Sequence, residues 1–242
     1  MAGAEQVVKQ LRKAAGSDPR VDLRHLKIDF DPDAGIATLE GEVPNVAMKR
    51  LALRRVGAVP AVTDIVDRIR VRPAERLGDG AVRDLVCDVL AQEPALQLYE
   101  IRQRTGDRVE TVRGAPPEPG GFIEFTVEEG VVTLTGRVLG LEAKRLAGVL
   151  AWWVPGSRDV INGLGVEPPE PDSDDAIANA VRLVLERDPL VDEAHVHVGV
   201  QDAVVTLAGI LPDEAQREMA EFDAWYVFGV DDVVNDIEVH RY

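Results

Sequence analysis

Apolar residues in this chain recur at two spacings, one typical of helices and the other typical of strands. Ile177, Val181 and Leu185 recur at helical spacing and share one face of a predicted helix. Further along, Val196 and Val198 alternate with other residue types, which predicts a strand with one buried and one open face. Short helices and short strands therefore follow one another closely, as in a small α+β module.

The same pattern occurs three times. A shared seven-residue phrase, Gly-Val-Val-Thr-Leu-Thr-Gly in the middle copy, predicts a strand, and its closing glycine predicts a bend or bulge that does not tolerate side-chain bulk. In every copy, the threonine of this phrase stands 33 residues before the valine of a later predicted strand. The three pairs are Thr38 and Val71, Thr133 and Val166, and Thr206 and Val239. Equal spacings without a gap indicate a tandem repeat.

An acid-proline pair ends the first predicted helix of each repeat, because proline cannot continue a helix. These pairs are Asp18-Pro19, Glu93-Pro94 and Asp188-Pro189. The order of elements predicts an α+β fold of three tandem αββαβ units, each with a three-stranded mixed sheet and two helices on one face. We place the units at 1–73, 74–171 and 172–242. The second unit has about 20 extra residues, with an insertion near 103–121 that is either a mobile loop or a functional one.

The last predicted strand and the residues just before it give the repeat a family signature. The third copy has the fullest set, namely Gly229, Val230, Val233, Val234, Asn235, Ile237 and Val239. With the acid-proline stop and the shared phrase, this ending resembles the BON domain of bacterial osmotic-stress and outer-membrane proteins. The first copy departs from the signature at Ala61 and Asp67, and the second departs from it at Ser157. The resemblance implies helices packed on a sheet, and a non-enzymatic binding role at anionic phospholipid surfaces or in envelope integrity.

Composition narrows the class of protein further. The chain has 43 acidic and 27 basic residues and a formal net charge of −16, which excludes a nucleic-acid binder that works through global charge. Cys87 is the single cysteine, so it cannot close an intrachain disulfide or build a cysteine-rich zinc site. No apolar run reaches the roughly 18–20 residues that span a bilayer, and the first ten residues lack the apolar core of a secretory signal. We expect a cytoplasmic protein, with peripheral membrane association left open.

The search for catalytic and metal-binding residues is mostly negative. Phosphate-binding loops, zinc-protease motifs and serine-hydrolase motifs are absent from the sequence, so we expect neither an enzyme nor a cofactor. His195 and His197 are two apart on a predicted strand and His240 is expected on the same open face, so these imidazoles are weak candidates for zinc or nickel ligands. The equivalent residues of the first repeat are His25 and Lys27, which favours solvated side chains on a sheet face.

Aromatic residues occupy the same place in the second helices of two repeats. Trp153 and Tyr226 continue the apolar stripes of these helices, whereas Trp152 and Trp225 are turned by about 100° and are expected at the edge of each stripe. A ring at such an edge could enter a lipid headgroup layer or a partner surface. The alternative is packing against a neighbouring repeat, since domains this small gain from leaning on one another.

Charge is distributed unevenly along the chain. Residues 1–73 have 13 basic and 10 acidic side chains, whereas residues 172–242 have 4 and 17. The cations that crowd the predicted second helix of the first repeat are Lys49, Arg50, Arg54 and Arg55. This cluster could contact anionic lipid at about 1 kcal/mol per charge, or it could meet the acidic third repeat of another copy head-to-tail. A solvated helix face is the third interpretation.

The sequence therefore predicts a non-catalytic binding or scaffold protein. Its expected ligand is an anionic membrane surface or a protein partner, contacted through the cations of the first repeat and through Trp152 and Trp225. The alternative is a cytoplasmic interaction module that self-assembles through its oppositely charged ends or senses cations through its carboxylates.

Overall fold

A computed structural model describes residues 2–114 and 120–240 of the chain. Contacts between residues divide it into two compact bodies, residues 1–72 and 73–242. The first body is the first repeat, and the second body contains the other two repeats. Within the described ranges, every helix is too short or too polar to cross a bilayer.

The first repeat has the predicted αββαβ order. Its elements are α1 (Ala2–Ala15), β1 (Leu26–Asp31), β2 (Ile36–Val43), α2 (Val46–Gly57) and β3 (Asp64–Val71). β2 lies in the centre of the sheet, with β1 antiparallel and β3 parallel to it. Leu26 and Ile28 of β1 are buried whereas Lys27 and Asp29 are exposed, so the helices cover one face of the sheet and the other face is open.

The second repeat contains a wider sheet than predicted. Its elements are α3 (Asp79–Gln92), β4 (Tyr99–Thr105), β5 (Arg108–Arg113), β6 (Gly121–Glu128), β7 (Val131–Val138), α4 (Leu141–Trp153), β8 (Asp159–Asn162) and β9 (Gly165–Val166). The order is β5-β4-β6-β7-β8, with β9 also pairing with β7, which makes six strands among the described residues. β6, β7 and β8 match the three predicted strands.

The extra residues of the second repeat account for the added strands. They form the β4–β5 hairpin, and β4 pairs in parallel with the edge of β6. The expectation of a loop near 103–121 is therefore wrong for the hairpin, because β4 buries Tyr99 and Ile101 and pairs with β6, and the largely exposed β5 pairs with β4. Residues 115–119 lie outside the described part.

The third repeat matches the first. Its elements are α5 (Asp174–Arg187), β10 (Val196–Gln201), β11 (Val204–Leu211), α6 (Glu214–Tyr226) and β12 (Asp232–Val239). β11 is central, with β10 antiparallel and β12 parallel to it. The prediction of an α+β fold with three tandem αββαβ units is confirmed, and three strands per sheet describe the first and third repeats.

The closing glycine of the shared phrase has a steric reason in all three repeats. Gly41, Gly136 and Gly209 have φ angles of +148°, +127° and +145°, which L side chains rarely adopt. A Cβ atom on Gly209 would overlap the carbonyl oxygen of His195, and the other two glycines face equivalent carbonyls. The prediction that side-chain bulk is not tolerated here is confirmed.

Candidate functional site

The asparagine of the family signature ties the last strand of a repeat to its second helix. In the third repeat, Asn235 donates from Nδ2 to the carbonyl oxygen of Arg217 at 2.9 Å, and its Oδ1 accepts from the amide of Ile237 at 3.3 Å. Asn162 makes the corresponding bond to the carbonyl oxygen of Lys144 at 2.7 Å in the second repeat. This residue type therefore has a structural role at this position.

The first repeat makes the same link with a charged pair. Asp67 stands in the place of the asparagine, and its Oδ2 lies 2.9 Å from Nζ of Lys49 on α2. Lys49 also donates to the carbonyl oxygen of Ile69 at 2.9 Å, and its side chain is buried. The prediction that Lys49 belongs to an accessible basic surface is wrong, because its face of α2 is turned towards β3.

The remaining predicted cations of α2 lie towards solvent. Arg54 and Arg55 are exposed in the last turn of the helix, and Arg50 is partly exposed one turn earlier. Arg50 and Arg54 are four residues apart, so their side chains lie along one stripe of the helix surface. Whether this stripe contacts lipid or a partner stays a prediction.

The ends of α1 and α2 meet around one buried carboxylate. Asp18 follows α1 and accepts from Nε and Nη2 of Arg20 at 3.0 Å each, and from Nη2 of Arg55 at 3.4 Å. The hydrogen bond from Arg20 lowers the pKa of Asp18 far below its ordinary value, against the opposing effect of burial. Asp18 is therefore a permanently charged anchor that fixes Arg20 and Arg55 at the carboxyl ends of both helices.

These contacts add cations that the sequence alone did not bring together. Arg12 and Lys13 are exposed in the last turn of α1, beside the Asp18 anchor. We call the resulting surface the basic end of the first repeat. Its members are Arg12, Lys13, Arg20, Arg50, Arg54 and Arg55. The acid-proline pair Asp18-Pro19 could have revealed Arg12, Lys13 and Arg20, because residues that flank this pair lie at the end of α1.

The predicted aromatic contacts lie between the second and third repeats. Trp225 is 0% exposed, so the prediction that it stands at an exposed edge is wrong. Trp152 is partly buried and stacks on Tyr226, with ring centroids 5.7 Å apart and an interplanar angle of 19°. Trp153 donates from Nε1 to Oδ1 of Asp223 on α6 at 2.9 Å. The alternative interpretation, packing against a neighbouring repeat, describes Trp152 and Trp153, because both contact residues of α6 in the third repeat.

A buried arginine reinforces this junction. Arg145 on α4 is 1% exposed and donates from Nε to the carbonyl oxygen of Phe228 at 2.8 Å. Its Nη2 lies 2.5 Å from Oδ1 of Asp172, which belongs to the segment between the two repeats. Arg187 at the end of α5 lies 3.6 Å from a carboxylate oxygen of Glu93 in the second repeat. The second and third repeats are thus joined by polar contacts as well as by aromatic packing.

A carboxyl group is buried at the centre of the junction. Asp223 is 0% exposed, and desolvation raises its pKa to about 8. The hydrogen bond from Trp153 opposes that rise, whereas the neighbouring carboxyl of Asp188 adds to it. Burial, together with the charge of Asp223, raises the pKa of Tyr226 to about 12. Asp223 therefore holds a proton near neutral pH.

Charged residues on the open face of the second sheet fasten the inserted hairpin. Nε of Arg104 lies 2.7 Å from Oε1 of Glu124 across the β4–β6 pair. Arg102 pairs with Glu100 at 2.8 Å and lies over the ring of Phe122, 4.3 Å from its centroid. The hydrogen bond between Arg102 and Glu100 lowers the pKa of Glu100. These cations are matched by carboxylates or an aromatic ring, so the network accounts for the position of the hairpin.

The histidines predicted as weak metal ligands are not brought together. His195 lies in a short 3-10 turn before β10, so it does not share a strand face with His197 as expected. His197 is on one edge strand and His240 follows the opposite edge strand; strand spacing and register separate them by about 15 Å. His195 and His240 instead lie 3.1 and 3.3 Å from Asp192 and Glu238. Among the described residues, no three His, Cys, Asp or Glu side chains are grouped to hold a metal ion.

The fold and this junction define a class of protein built from tandem αββαβ modules, each with its helices packed on one face of a sheet. The BON domain profile matches residues 3–73, 100–168 and 173–241. The chain therefore belongs to the BON domain family, which is linked to phospholipid binding and to osmotic-stress proteins.

A relative and two solved structures can be compared directly. Osmotically-inducible protein Y of Escherichia coli K12 is 32% identical over 122 residues, which cover 48% of this chain and 61% of that protein. The C-terminal domain of CdsD, the structural protein of the type III secretion system of Chlamydia trachomatis, is 17% identical with a TM-score of 0.25, and the match covers 97% of both chains. A second CdsD structure is 16% identical with a TM-score of 0.26, covering 98% of this chain and 93% of the other.

Proposed function

We propose that this chain is a non-catalytic binding protein that attaches to anionic phospholipid surfaces through the basic end of its first repeat. The observation that carries the proposal is the exposure of cations on two adjoining helix ends, within a family linked to phospholipid binding. The non-catalytic part is supported by Lys49 and Asn235, whose side chains tie a second helix to a last strand through structural hydrogen bonds.

The arrangement of these cations supports contact with a charged surface. Lys13 on α1 and Arg54 on α2 are both exposed, and α1 packs against α2. Cations in the last turn of a helix are also favoured by the helix dipole. A flat anionic layer can engage several of them at once, at about 1 kcal/mol for each charge near the surface.

The test is flotation with vesicles of phosphatidylglycerol in phosphatidylcholine. The Lys13→Gln/Arg54→Gln variant loses two surface charges, so we expect binding weaker by about thirtyfold. The matched control is Lys27→Gln/Arg68→Gln, which removes the same two residue types from the open sheet face of the same repeat and leaves binding within about threefold. High salt is expected to release the wild-type chain, since screening weakens exposed charges.

Two outcomes would contradict the lipid proposal. One is failure of the wild-type chain to float with anionic vesicles at low salt. The other is equal loss of binding in both double variants, because that would show a response to net charge and not to the basic end.

A second candidate function is head-to-tail association of two or more copies. It is favoured by the contrast between the first repeat, with 13 basic and 10 acidic residues, and residues 172–242, with 4 and 17. Light scattering on a concentration series would then show a mass that rises with concentration and falls with salt. A constant monomer mass would exclude this candidate and leave the lipid proposal untouched.

A further inference from the structure

The outer edge of β10 in the third repeat corresponds to an edge that is covered in the second repeat. Val196 pairs with Gly209 as Ile123 pairs with Gly136, so β10 and β6 are equivalent strands. In the second repeat, β4 pairs with the outer edge of β6 through the parallel register of Ile101 with Ile123. In the third repeat, β10 is the outermost strand of the sheet formed by the described residues. The internal repeat therefore shows which kind of element fits this edge, namely a strand.

One helix position distinguishes the covered edge from the open edge. Arg182 stands on α5 six residues before the acid of the acid-proline pair, and Cys87 has this position on α3. Arg182 donates from Nη2 to the carbonyl oxygen of Val198 on β10 at 3.0 Å, and Asn179 holds its Nη1 at 2.9 Å. The shorter Cys87 is partly buried, and α3 contacts both β4 and β5. In the third repeat, whose edge is open, Arg182 thus hydrogen-bonds to a carbonyl of the edge strand. In the second repeat, the smaller Cys87 leaves space for the added strand.

A groove follows the open edge. It has a volume of about 270 Å³ and runs between α5 and β10. It is lined by the apolar side chains of Leu185, Val196 and Val198, by the carboxylates of Glu186 and Glu193, and by Arg182. When Arg182 moves aside, such a groove fits a long basic side chain, whose methylene groups contact the apolar residues while its charge meets the carboxylates.

The first repeat lacks this combination at its own edge strand. Gly16 and Leu23 stand at the positions of Glu186 and Glu193, and the side chain of Leu23 lies directly over Gly16. The carboxylates are therefore specific to the third repeat, whose charge is strongly negative.

We propose that the β10 edge binds an extended basic segment of a partner protein, which adds to the third sheet as β4 adds to the second. The backbone of the segment pairs with β10, and an amide of the segment replaces Arg182 at the carbonyl of Val198. A lysine or arginine of the segment lies in the groove, with its charge beside Glu186 and Glu193. This mode of recognition takes affinity from backbone hydrogen bonds and specificity from alternate side chains. It is independent of lipid binding by the first repeat.

The test uses the full chain and a defined probe. The probe is an acetylated and amidated peptide, Thr-Lys-Val-Lys-Val-Lys-Thr, and its matched control carries glutamate in place of the three lysines. We expect amide shifts and slowed hydrogen exchange along β10 with the lysine peptide at about 1 mM, and no change along β12. Absence of any effect on β10, or equal binding of both peptides, would overturn the proposal.

Variants of the chain separate the groove from the general charge of the repeat. Glu186→Lys/Glu193→Lys is expected to bind the lysine peptide about tenfold more weakly. The control Glu218→Lys/Glu238→Lys makes the same charge change away from β10 and is expected to bind within about threefold of wild type. Equal loss of binding in both variants would overturn the assignment to the groove.

Arg182→Ala tests the carbonyl contact itself. It removes the side chain that competes with the incoming strand, so we expect tighter peptide binding. Weaker binding would overturn the proposed displacement of Arg182. Dimerisation of this variant without peptide, seen by light scattering, would identify a second copy as the occupant and would overturn the assignment to a partner segment.

Discussion

Replacing Asp223 by asparagine tests how the second and third repeats are joined. Burial raises the pKa of this carboxyl from 3.8 to about 8, so the folded chain keeps a proton that the unfolded chain loses. The unfolded state binds fewer protons between these two pKa values, and stability therefore falls as pH rises through this window and levels off above it. One unit of pKa corresponds to about 1.4 kcal/mol, which gives up to about 4 kcal/mol at pH 7. This value is an upper bound because Asp188 and Asp223 interact as a pair.

Asparagine retains the contact without the charge. Its Oδ1 can accept from Nε1 of Trp153 as the carboxyl does, and its amide cannot ionise. We expect Asp223→Asn to raise the free energy of unfolding by about 2–4 kcal/mol near pH 8, with the difference shrinking towards pH 4. Urea unfolding followed by tryptophan fluorescence at about pH 5, 7 and 8.5 measures the free energy of unfolding of both chains and how the difference between them changes with pH.

An exposed aspartate provides the control for this prediction. Asp236 lies on β12 and is exposed, so Asp236→Asn is expected to change stability by less than about 0.5 kcal/mol at each pH. The reasoning is refuted if Asp223→Asn is no more stable than wild type near pH 8, or if both chains lose stability with pH at the same rate.

Two further predictions concern the internal construction of the repeats. Lys49→Met removes the cation that pairs with Asp67, and we expect the free energy of unfolding to fall by about 1–2 kcal/mol. Adding Asp67→Asn is expected to restore at least half of this loss, because asparagine is the residue at this position in the other repeats. Thermal unfolding checks this prediction, and no recovery in the double variant would contradict it. Gly209→Ala places a Cβ against a strand carbonyl and is expected to cost about 2–4 kcal/mol, whereas Gly199→Ala meets no atom within 4 Å and changes stability by less than about 1 kcal/mol. Urea unfolding of the two variants should separate them, and equal stability would refute the steric argument.

The repeat and its core could be predicted because they depend on local periodicity. The three threonine-to-valine spacings define pairs of neighbouring parallel strands, and the closing glycine records a close backbone approach. These features are written in residues a fixed distance apart, which a single sequence displays directly.

The contacts between repeats could not be predicted in the same way. Helical geometry placed Trp152 at the edge of the stripe of its own helix, but the ring stacks on Tyr226 because α4 packs beside α6. The β4–β5 hairpin was missed because its strands lie in a segment without a counterpart in the other repeats. Residues that are buried by a neighbouring repeat do not recur at a regular spacing in the sequence, so periodicity does not reveal them.

The position of Lys49 was predictable from the repeat itself. Position 67 is asparagine in both other copies, and that asparagine bonds to the second helix at the position equivalent to 49. All three copies have a cation at that helix position, namely Lys49, Lys144 and Arg217, so a basic residue there does not by itself indicate an accessible basic surface. A comparison of the three copies would have separated this structural lysine from the outward stripe of Arg50 and Arg54.

Hydrogen exchange on the full chain, with and without phosphatidylglycerol vesicles, tests the central claim most directly. The account predicts slowed exchange at the adjoining carboxyl ends of α1 and α2, roughly residues 10–20 and 50–58, and unchanged exchange across the acidic third repeat. Slowed exchange confined to residues 172–240, or none anywhere while the chain is bound to the vesicles, would contradict it.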